Sequence, residues 1–541
     1  MQKTWIFLSF FFSLTLFLNC DPVPTKEDTN PVMETVPEEQ PTESLLEALD
    51  SSDPFTRSQA TIQLGSREVR SAIPKLKKLL KDSEPGVRAG AAIALGDLKD
   101  KSSSEAIANL MWSDSENPKD VYLDALTRMK DPSVGNRIYP LLDDSNPTLR
   151  LQVVDALVQI GANSVGPQVL SLALKNKDRE KDKTYAMALG KLKISASESY
   201  LLSLTKIQDE SPTLAAAYLA LGRIKAKNAN DILVNALNLP YSKGKENASM
   251  ALIEIGNPSV ITKVFQSLNS ENAETKLYAT DVLCSIPSKE AAKLAFGLLN
   301  GKDTKNWGSA AKIVGRQRYK EGRIRIEELL EKTSTPERDS FAEALGWIGD
   351  KSSVPVLRKV LLSGEKEGPY GSAWALGILG AKEAVPDLIK ALDMGDAKLM
   401  VYALEALGSI ADPTSLPKLK SLLADRPKMA PQILSTVALI PTEEARFIIE
   451  EATKSKNAEV YRPAMEEIAK RKDKKSIPLL LAYANGDDSE KRKLSYYALT
   501  AVTGEKFRTA KEWNEWAKSK GSQMVQEMRY ARKKYKANDF K

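Results

Sequence analysis

Side chains that could perform catalysis or hold a metal are scarce in this sequence. Its 541 residues include no histidine and only two cysteines, Cys20 and Cys284. Histidine is the commonest general base and a principal metal ligand, so most catalytic and metal-binding arrangements lack a required group. Two thiols are also too few for a disulfide framework or a thiolate metal site. We therefore expect no catalytic, metal-binding or cofactor-binding residues, and each thiol needs its own explanation.

Cys20 directly follows an uncharged apolar segment, residues 5–18, which has the h-region of a secretory signal and is preceded by Lys3. The segment is too short to span a bilayer as a stable helix. The order Phe17-Leu18-Asn19-Cys20 resembles a bacterial lipoprotein signal, with asparagine before the cysteine as in the relaxed spirochaetal form. The resemblance implies removal of residues 1–19, acylation of Cys20 with fatty acids such as palmitate, and an extracytoplasmic location. A plain secretory signal with an incidental cysteine is the alternative.

Residues 20–42 differ from the rest of the chain in composition. Five prolines lie among acidic residues and threonines, without the apolar periodicity of a helix or strand. Such a segment cannot bury enough apolar surface to become ordered, and we interpret it as a disordered acidic tether behind the anchor. The whole chain has a formal net charge of +7 despite this acidic segment, so the remaining body is basic. We expect the anchor to attach the protein to a bacterial membrane, either the inner or the outer one.

A pair of residues returns about every 31 positions from Leu64-Gly65 to Leu499-Thr500. We call its second residue the mark. The fifteen marks are Gly65, Gly96, Thr127, Val158, Gly190, Gly222, Ile253, Cys284, Gly315, Gly346, Gly377, Gly408, Ala438, Ala469 and Thr500. The residue before each mark is aliphatic, and alanine is frequent two places before it. A period of this length is typical of a repeat array, in which each unit packs on its neighbours. Cys284 is itself a mark, which predicts a structural thiol rather than a nucleophile.

Each repeat is predicted to be a pair of helices. Residues 87–110 show two apolar stretches with helical spacing, separated by a break of serines. Proline recurs nine residues after the mark, where it suits the first turn of the second helix, and aspartate recurs four residues after the mark as a cap. A basic residue eight before the mark, as at Arg57, could bind acids of neighbouring units such as Asp82 and Asp144. The predicted fold is an all-α solenoid of about fifteen hairpins over residues 43–504.

These columns, read as Val-Arg-x-x-Ala, then Ala-Leu-Gly, Asp and Ala-x-Pro-x-Leu, resemble the short HEAT repeat of the phycobilisome-lyase type. The resemblance covers about residues 43–505. It implies a curved α-solenoid with first helices on the convex side and second helices on the concave side, where protein partners bind.

The resemblance leaves several functions open. We favour a non-catalytic, membrane-anchored scaffold that binds protein partners in the bacterial cell envelope, with a lyase-like enzyme or a surface-exposed adhesin as alternatives. Related iron-dependent hydroxylases need histidine–glutamate pairs, which this chain lacks. A DNA-binding solenoid could stack bases on Trp347 or Trp374, but both are interpreted as packing residues, and the export signal argues against a nucleic-acid partner.

Two basic surfaces could bind anions. The first lies on consecutive predicted second helices and comprises Arg358, Lys359, Lys390, Lys418 and Lys420. The second lies in the basic segment 505–541, which we interpret as a cap or tail, and comprises Arg529, Arg532, Lys533, Lys534 and Lys536. Trp513 and Trp516, three residues apart, could pack over the end of the array. For both surfaces, solvated charge is the alternative to a binding site.

Overall fold

The computed structural model describes residues 41–206 and 211–520, which form helices joined by short turns and fall into two compact units divided after Met129. The first unit contains six α-helices in its described part. They are α1 (Thr42–Ala48), α2 (Pro54–Ser66), α3 (Ile73–Leu79), α4 (Pro85–Asp97), α5 (Ser104–Ser113) and α6 (Lys119–Met129). Cys20 and the predicted tether through residue 40 lie outside the described residues.

The described part of the second unit continues the same alternation of helices. Its first half contains α7 (Gly135–Ile138), α8 (Pro147–Gln159), α9 (Gly166–Lys175), α10 (Arg179–Lys191), α11 (Glu198–Leu204), α12 (Pro212–Arg223), α13 (Asn230–Ala236), α14 (Ser242–Ile255), α15 (Ile261–Gln266), α16 (Ala273–Ser285), α17 (Lys289–Asn300), α18 (Trp307–Arg316) and α19 (Arg323–Lys332). Its second half contains α20 (Arg338–Ile348), α21 (Val354–Leu361), α22 (Pro369–Leu379), α23 (Val385–Ala391), α24 (Ala397–Ile410), α25 (Leu416–Asp425), α26 (Ala430–Leu439), α27 (Glu443–Ala452), α28 (Ala458–Arg471), α29 (Ile477–Ala484), α30 (Ser489–Thr503) and α31 (Ala510–Ser519).

All fifteen marks lie near the ends of the even-numbered helices from α2 to α30, which are the first helices of the repeats. The aliphatic residue before each mark is buried, from Leu64 at 0% exposure to Ile468 at 3%. The prediction of an all-α solenoid with a 31-residue period is therefore confirmed. No helix within residues 41–206 and 211–520 has the length and apolar character needed to cross a membrane.

The small residues at and before the mark allow successive first helices to pack closely. A methyl group added to Gly222 would lie 2.5 Å from the Cα of Ala251, and one added to Gly377 would lie 2.8 Å from the Cα of Ala406. Glycine in one repeat thus faces alanine two places before the mark in the next. Neither Gly222 nor Gly377 can enlarge without moving a backbone, which explains why glycine occupies these marks.

The start of the second helix also follows the prediction. Proline occupies the first turn of α3, α9, α21, α23, α25 and α29. The aspartates cap a short 3-10 turn before the second helix rather than the α-helix itself, as where Asp350 accepts from the Ser352 N–H at 2.9 Å. Asp100 differs, because it accepts from the hydroxyls of Ser102 and Ser103.

The array continues past residue 504. Helix α31 takes the place of the second helix of the fifteenth hairpin and packs on α29. Trp513 is fully buried there, with its ring centroid 4.9 Å from that of Phe507 and 5.7 Å from that of Trp516. Residues 521–541, including the predicted basic surface from Arg529 to Lys536, lie outside the described residues, so that surface stays a prediction.

Candidate interaction surfaces

The five cations predicted to form an anion-binding surface on the second helices each lie beside a carboxylate. Within the second unit they form these ion pairs: Lys359–Glu331 at 2.9 Å, Arg358–Asp387 at 2.5 Å, Lys390–Asp387 at 3.8 Å, Lys418–Asp393 at 2.7 Å and Lys420–Glu451 at 2.8 Å. All but one of these pairs join neighbouring repeats. The arrangement leaves little uncompensated positive charge, so we do not include these residues in the proposed function.

The basic residue eight before the mark also has a structural role. The Arg57 guanidinium donates two hydrogen bonds of 2.8 Å to the carboxylate of Asp82, as predicted. Arg150 instead donates to the backbone carbonyl of Asp144 at 2.8 Å. Arg338 donates to the Leu330 carbonyl at 3.0 Å, near the end of the preceding second helix. The bonds of Arg150 and Arg338 satisfy carbonyls that a helix end or turn leaves without partners.

Cys284 is a free, half-buried cysteine at the end of α16. Burial raises the pKa of its thiol to about 12, with the nearby Arg316 opposing the shift. The thiol is therefore protonated at neutral pH and unsuited to nucleophilic attack. This agrees with the structural role that its place in the repeat predicts.

The outward face of the first helices carries a recurring set of exposed apolar residues. They occupy three positions of the repeat: seven residues before the mark, three residues before it and one residue after it. The residues are Ile62, Leu151, Met250, Leu277, Ile378, Leu439 and Tyr497, with exposures from 36% for Leu151 to 63% for Tyr497. Their recurrence in fixed columns distinguishes them from the isolated apolar residues found on most protein surfaces.

Aromatic rings concentrate on this face between α20 and α24. Trp347 and Trp374 are half-buried, with ring centroids 5.2 Å apart. Tyr370 and Tyr402 form a second pair with centroids 5.8 Å apart. Trp374 was predicted to be a packing residue, and its ring does lie close to Gly346, but it also contributes to the surface.

Two glutamates flank these rings in the column three before the mark. That column reads Glu343 in α20, Trp374 in α22 and Glu405 in α24. Within the described part of the chain, neither glutamate side chain has a hydrogen-bond or ion-pair partner. We call Glu343, Tyr370, Trp374, Tyr402 and Glu405 the aromatic–acidic surface.

The surrounding protein makes the charged forms of these glutamates unfavourable. Burial raises the pKa of Glu343, with Lys312 opposing the shift and Asp339 adding to it, and burial alone raises the pKa of Glu405. Burial and then the Glu343 charge also raise the pKa of Tyr402. Asp339 differs from the glutamates, because it accepts hydrogen bonds from the N–H groups of Gly368 at 3.1 Å and Gly371 at 2.7 Å.

Family models match three parts of the chain. The model of HEAT repeats matches residues 42–121 and 364–439, and that of the PBS lyase HEAT-like repeat matches residues 337–363. The chain is a HEAT-repeat protein. No curated protein sequence matches it significantly.

Solved structures similar to this HEAT-repeat protein share little sequence with it. A structure of importin beta is 14% identical, with 91% of this chain and 77% of that chain covered and a TM-score of 0.45. Kap121p bound to Nup53p is 13% identical, with 85% and 63% covered and a TM-score of 0.46. The complex of CpcE and CpcF of phycocyanin lyase from Nostoc is 16% identical, with 54% and 98% covered and a TM-score of 0.22.

Sequence reasoning missed the aromatic–acidic surface of this HEAT-repeat protein because it looked for partners on the second helices. A signal was available in the aligned repeats, where the column three before the mark holds Ile62, Met250, Trp374 and Tyr497. A helix position that packs in the core is normally apolar in nearly every copy. This column alternates between apolar and charged residues, as expected of a surface position.

Proposed function

We propose that this HEAT-repeat protein is a non-catalytic scaffold that binds partner proteins along the outward face of its first helices. The observation that carries the proposal is the recurrence of exposed apolar residues in three columns of that face. Protein interfaces need apolar area that is water-accessible in the free protein, and aromatic residues are enriched at their centres. Within the second unit, the surface between α20 and α24 offers both.

The proposal moves the partner from the second helices, which the resemblance favours, to the first. Successive first helices pack directly on one another, whereas successive second helices contact one another much less. Neighbouring hairpins therefore approach most closely at their first helices.

Cross-linking from matched positions tests which face binds the partner. A photoreactive residue, p-benzoylphenylalanine, replaces Ile378 on α22 or Ile324 on α19, which are 41% and 60% exposed. In cells, we expect Ile378 to yield a discrete cross-linked product and Ile324 to yield much less, because only the first helices contact the partner. Equal products from both positions would contradict the choice of face, and no product from any first-helix position would contradict the scaffold.

We further propose that the protein is held on a bacterial membrane through acylated Cys20, which lies outside the described residues. Replacing Cys20 by alanine is expected to move the protein from the membrane fraction to the soluble extracytoplasmic fraction and to abolish incorporation of labelled palmitate. Two or three acyl chains, at about 0.8 kcal/mol per buried CH₂, give stable attachment that an unmodified residue cannot provide.

Cys284→Ser is the matched control for this experiment, since it removes the only other thiol and should leave the protein in the membrane fraction. Unchanged partitioning of the Cys20→Ala variant would show that the apolar segment is a plain secretory signal, or that another contact holds the protein.

A further inference from the structure

We infer that the aromatic–acidic surface binds lysine or arginine side chains on an extended basic segment of a partner protein. This inference rests on the proposed scaffold function and specifies the chemistry of its partner. It concerns Glu343, Tyr370, Trp374, Tyr402 and Glu405, which lie on three consecutive first helices, α20, α22 and α24.

The aromatic rings supply faces that attract cations. The chain's own residues already show this at the edges of the surface. The guanidinium of Arg316 lies 4.5 Å from the ring centroid of Trp347, and the ammonium of Lys398 lies 4.1 Å from that of Tyr370. Among the described residues, no cation lies over Trp374 in the middle of the surface. An indole face is the strongest cation-binding ring among the aromatic side chains, so this position is the one we assign to an incoming cation.

The two glutamates supply the charge that selects a cation. Glu343 is half-buried, and the carboxylates of both Glu343 and Glu405 lack partners within the described residues. An anionic partner would add repulsion, and an apolar partner would remove water from both charges without compensation. A guanidinium or ammonium group would instead provide the missing hydrogen-bond donor and counter-charge.

Other charged residues lie around the aromatic–acidic surface. Lys312 faces Glu343 from α18, and Lys398 faces Asp339 from α24. These cations border the surface, but neither reaches ion-pair distance of Glu343 or Glu405. The Tyr370 hydroxyl is also engaged, because it donates a 2.8 Å hydrogen bond to Asp396. Asp339 and Glu367 add negative charge beside Tyr370, and the two glutamates on either side of Trp374 are the ones that we assign to a partner.

The spacing of the glutamates favours an extended segment over a single cation. They lie in the same column two repeats apart, with Trp374 between them. Adjacent helix axes are typically about 8–10 Å apart, so the two carboxylates should be roughly 16–20 Å apart. A chain extended at about 3.3 Å per residue spans that separation in about five or six residues. A segment with several basic residues could thus contact both glutamates and the indole at once.

The test measures how the full-length protein binds a fluorescein-labelled nonapeptide in which arginine and glycine alternate. Binding is measured by fluorescence anisotropy at physiological ionic strength, with a glutamate-for-arginine peptide as the negative probe. The double variant Glu343→Gln/Glu405→Gln is expected to weaken binding at least about tenfold, since it removes both charges from a partly desolvated site.

Glu254→Gln/Glu466→Gln is the matched control. These exposed glutamates also lie on first helices, and the double substitution changes the net charge equally. It should alter binding less than about twofold, because neither glutamate belongs to the aromatic–acidic surface. Equal weakening by both pairs would reduce the result to general charge attraction and overturn the inference, as would failure of the wild type to bind the arginine peptide.

Thermal unfolding separates lost binding from lost folding. Glu343→Gln/Glu405→Gln should unfold at the same temperature as the wild type or higher, because it replaces carboxylates whose charged forms are disfavoured by burial. If the double variant unfolds at a lower temperature than the wild type, Trp374→Phe provides a second test of binding. Phenylalanine binds cations more weakly than tryptophan, so this substitution should weaken peptide binding. If the arginine peptide does not bind but position 378 still cross-links to a partner, only this inference is overturned. If no first-helix position gives a cross-link, the scaffold proposal is overturned as well.

Discussion

Replacement of Gly222 by alanine is expected to lower the free energy of unfolding by about 2 kcal/mol, although alanine is the better helix former. The added methyl group would lie 2.5 Å from the Cα and 2.8 Å from the Cβ of Ala251. Because one of these atoms belongs to the backbone of α14, no side-chain rotation relieves the contact. The helices must separate, and the neighbouring repeats must repack. Urea unfolding followed by circular dichroism measures the effect.

Gly297→Ala is the matched control for this substitution. Gly297 lies within α17, is exposed, and has no atom within 4 Å of an added methyl group. Alanine should raise stability there by up to about 1 kcal/mol through helix propensity. Effects of the same sign at Gly222 and Gly297 would mean that close helix packing does not explain the glycine column.

The repeat architecture could be predicted from the sequence because its determinants lie within one or two repeats of each other. A small mark such as Gly377 needs a small residue such as Ala406 opposite it, so the same requirement recurs at a fixed period. Proline in the first turn of α21 and aspartate before it follow from backbone hydrogen bonding alone. Each of these features is local, and repetition made each of them visible.

The charge pattern of the second helices could not be predicted in the same way. Arg358 and Lys418 appear as adjacent surface cations when only their own columns are read. Their partners, Asp387 and Asp393, lie 29 and 25 residues away. Whether such groups meet depends on the offset between neighbouring helices, which the 31-residue period does not determine. The positions of these cations on consecutive second helices therefore suggested an anion-binding surface, which stays a prediction, and they did not reveal the ion pairs.

The aromatic–acidic surface was hidden for a related reason. Glu343 and Glu405 look like ordinary solvated charges in a list of residues. Their unusual feature is that burial raises the pKa of both carboxyl groups. Burial of that kind arises only when three consecutive helices are assembled.

In the first unit, Asp114→Asn is expected to lower the free energy of unfolding by about 2–3 kcal/mol. The Asp114 side chain is 1% exposed and accepts hydrogen bonds from Arg88 at 2.9 Å and 3.0 Å. It also accepts from the Tyr122 hydroxyl and, at 2.9 Å, from the Asn117 amide. Asparagine keeps the shape but directs an NH₂ group at one of these donors and leaves the guanidinium, 12% exposed, with only the exposed Glu116 carboxylate, at 2.7 Å, as its counter-charge. Urea unfolding measures the loss.

Acidification should distinguish this network from an ordinary surface pair. The Arg88 guanidinium holds the pKa of Asp114 well below its usual range, and Tyr122 and Asn117 add to the effect. A lowered carboxyl pKa contributes stability above the unfolded value of about 4, and that stability is lost as the pH falls toward the folded value. Wild type should therefore lose more stability than Asp114→Asn between about pH 5 and pH 2. Asp124→Asn, which breaks an exposed pair with Arg128, should cost less than about 1 kcal/mol. A comparable loss from both variants would show that burial of the Asp114 network adds nothing.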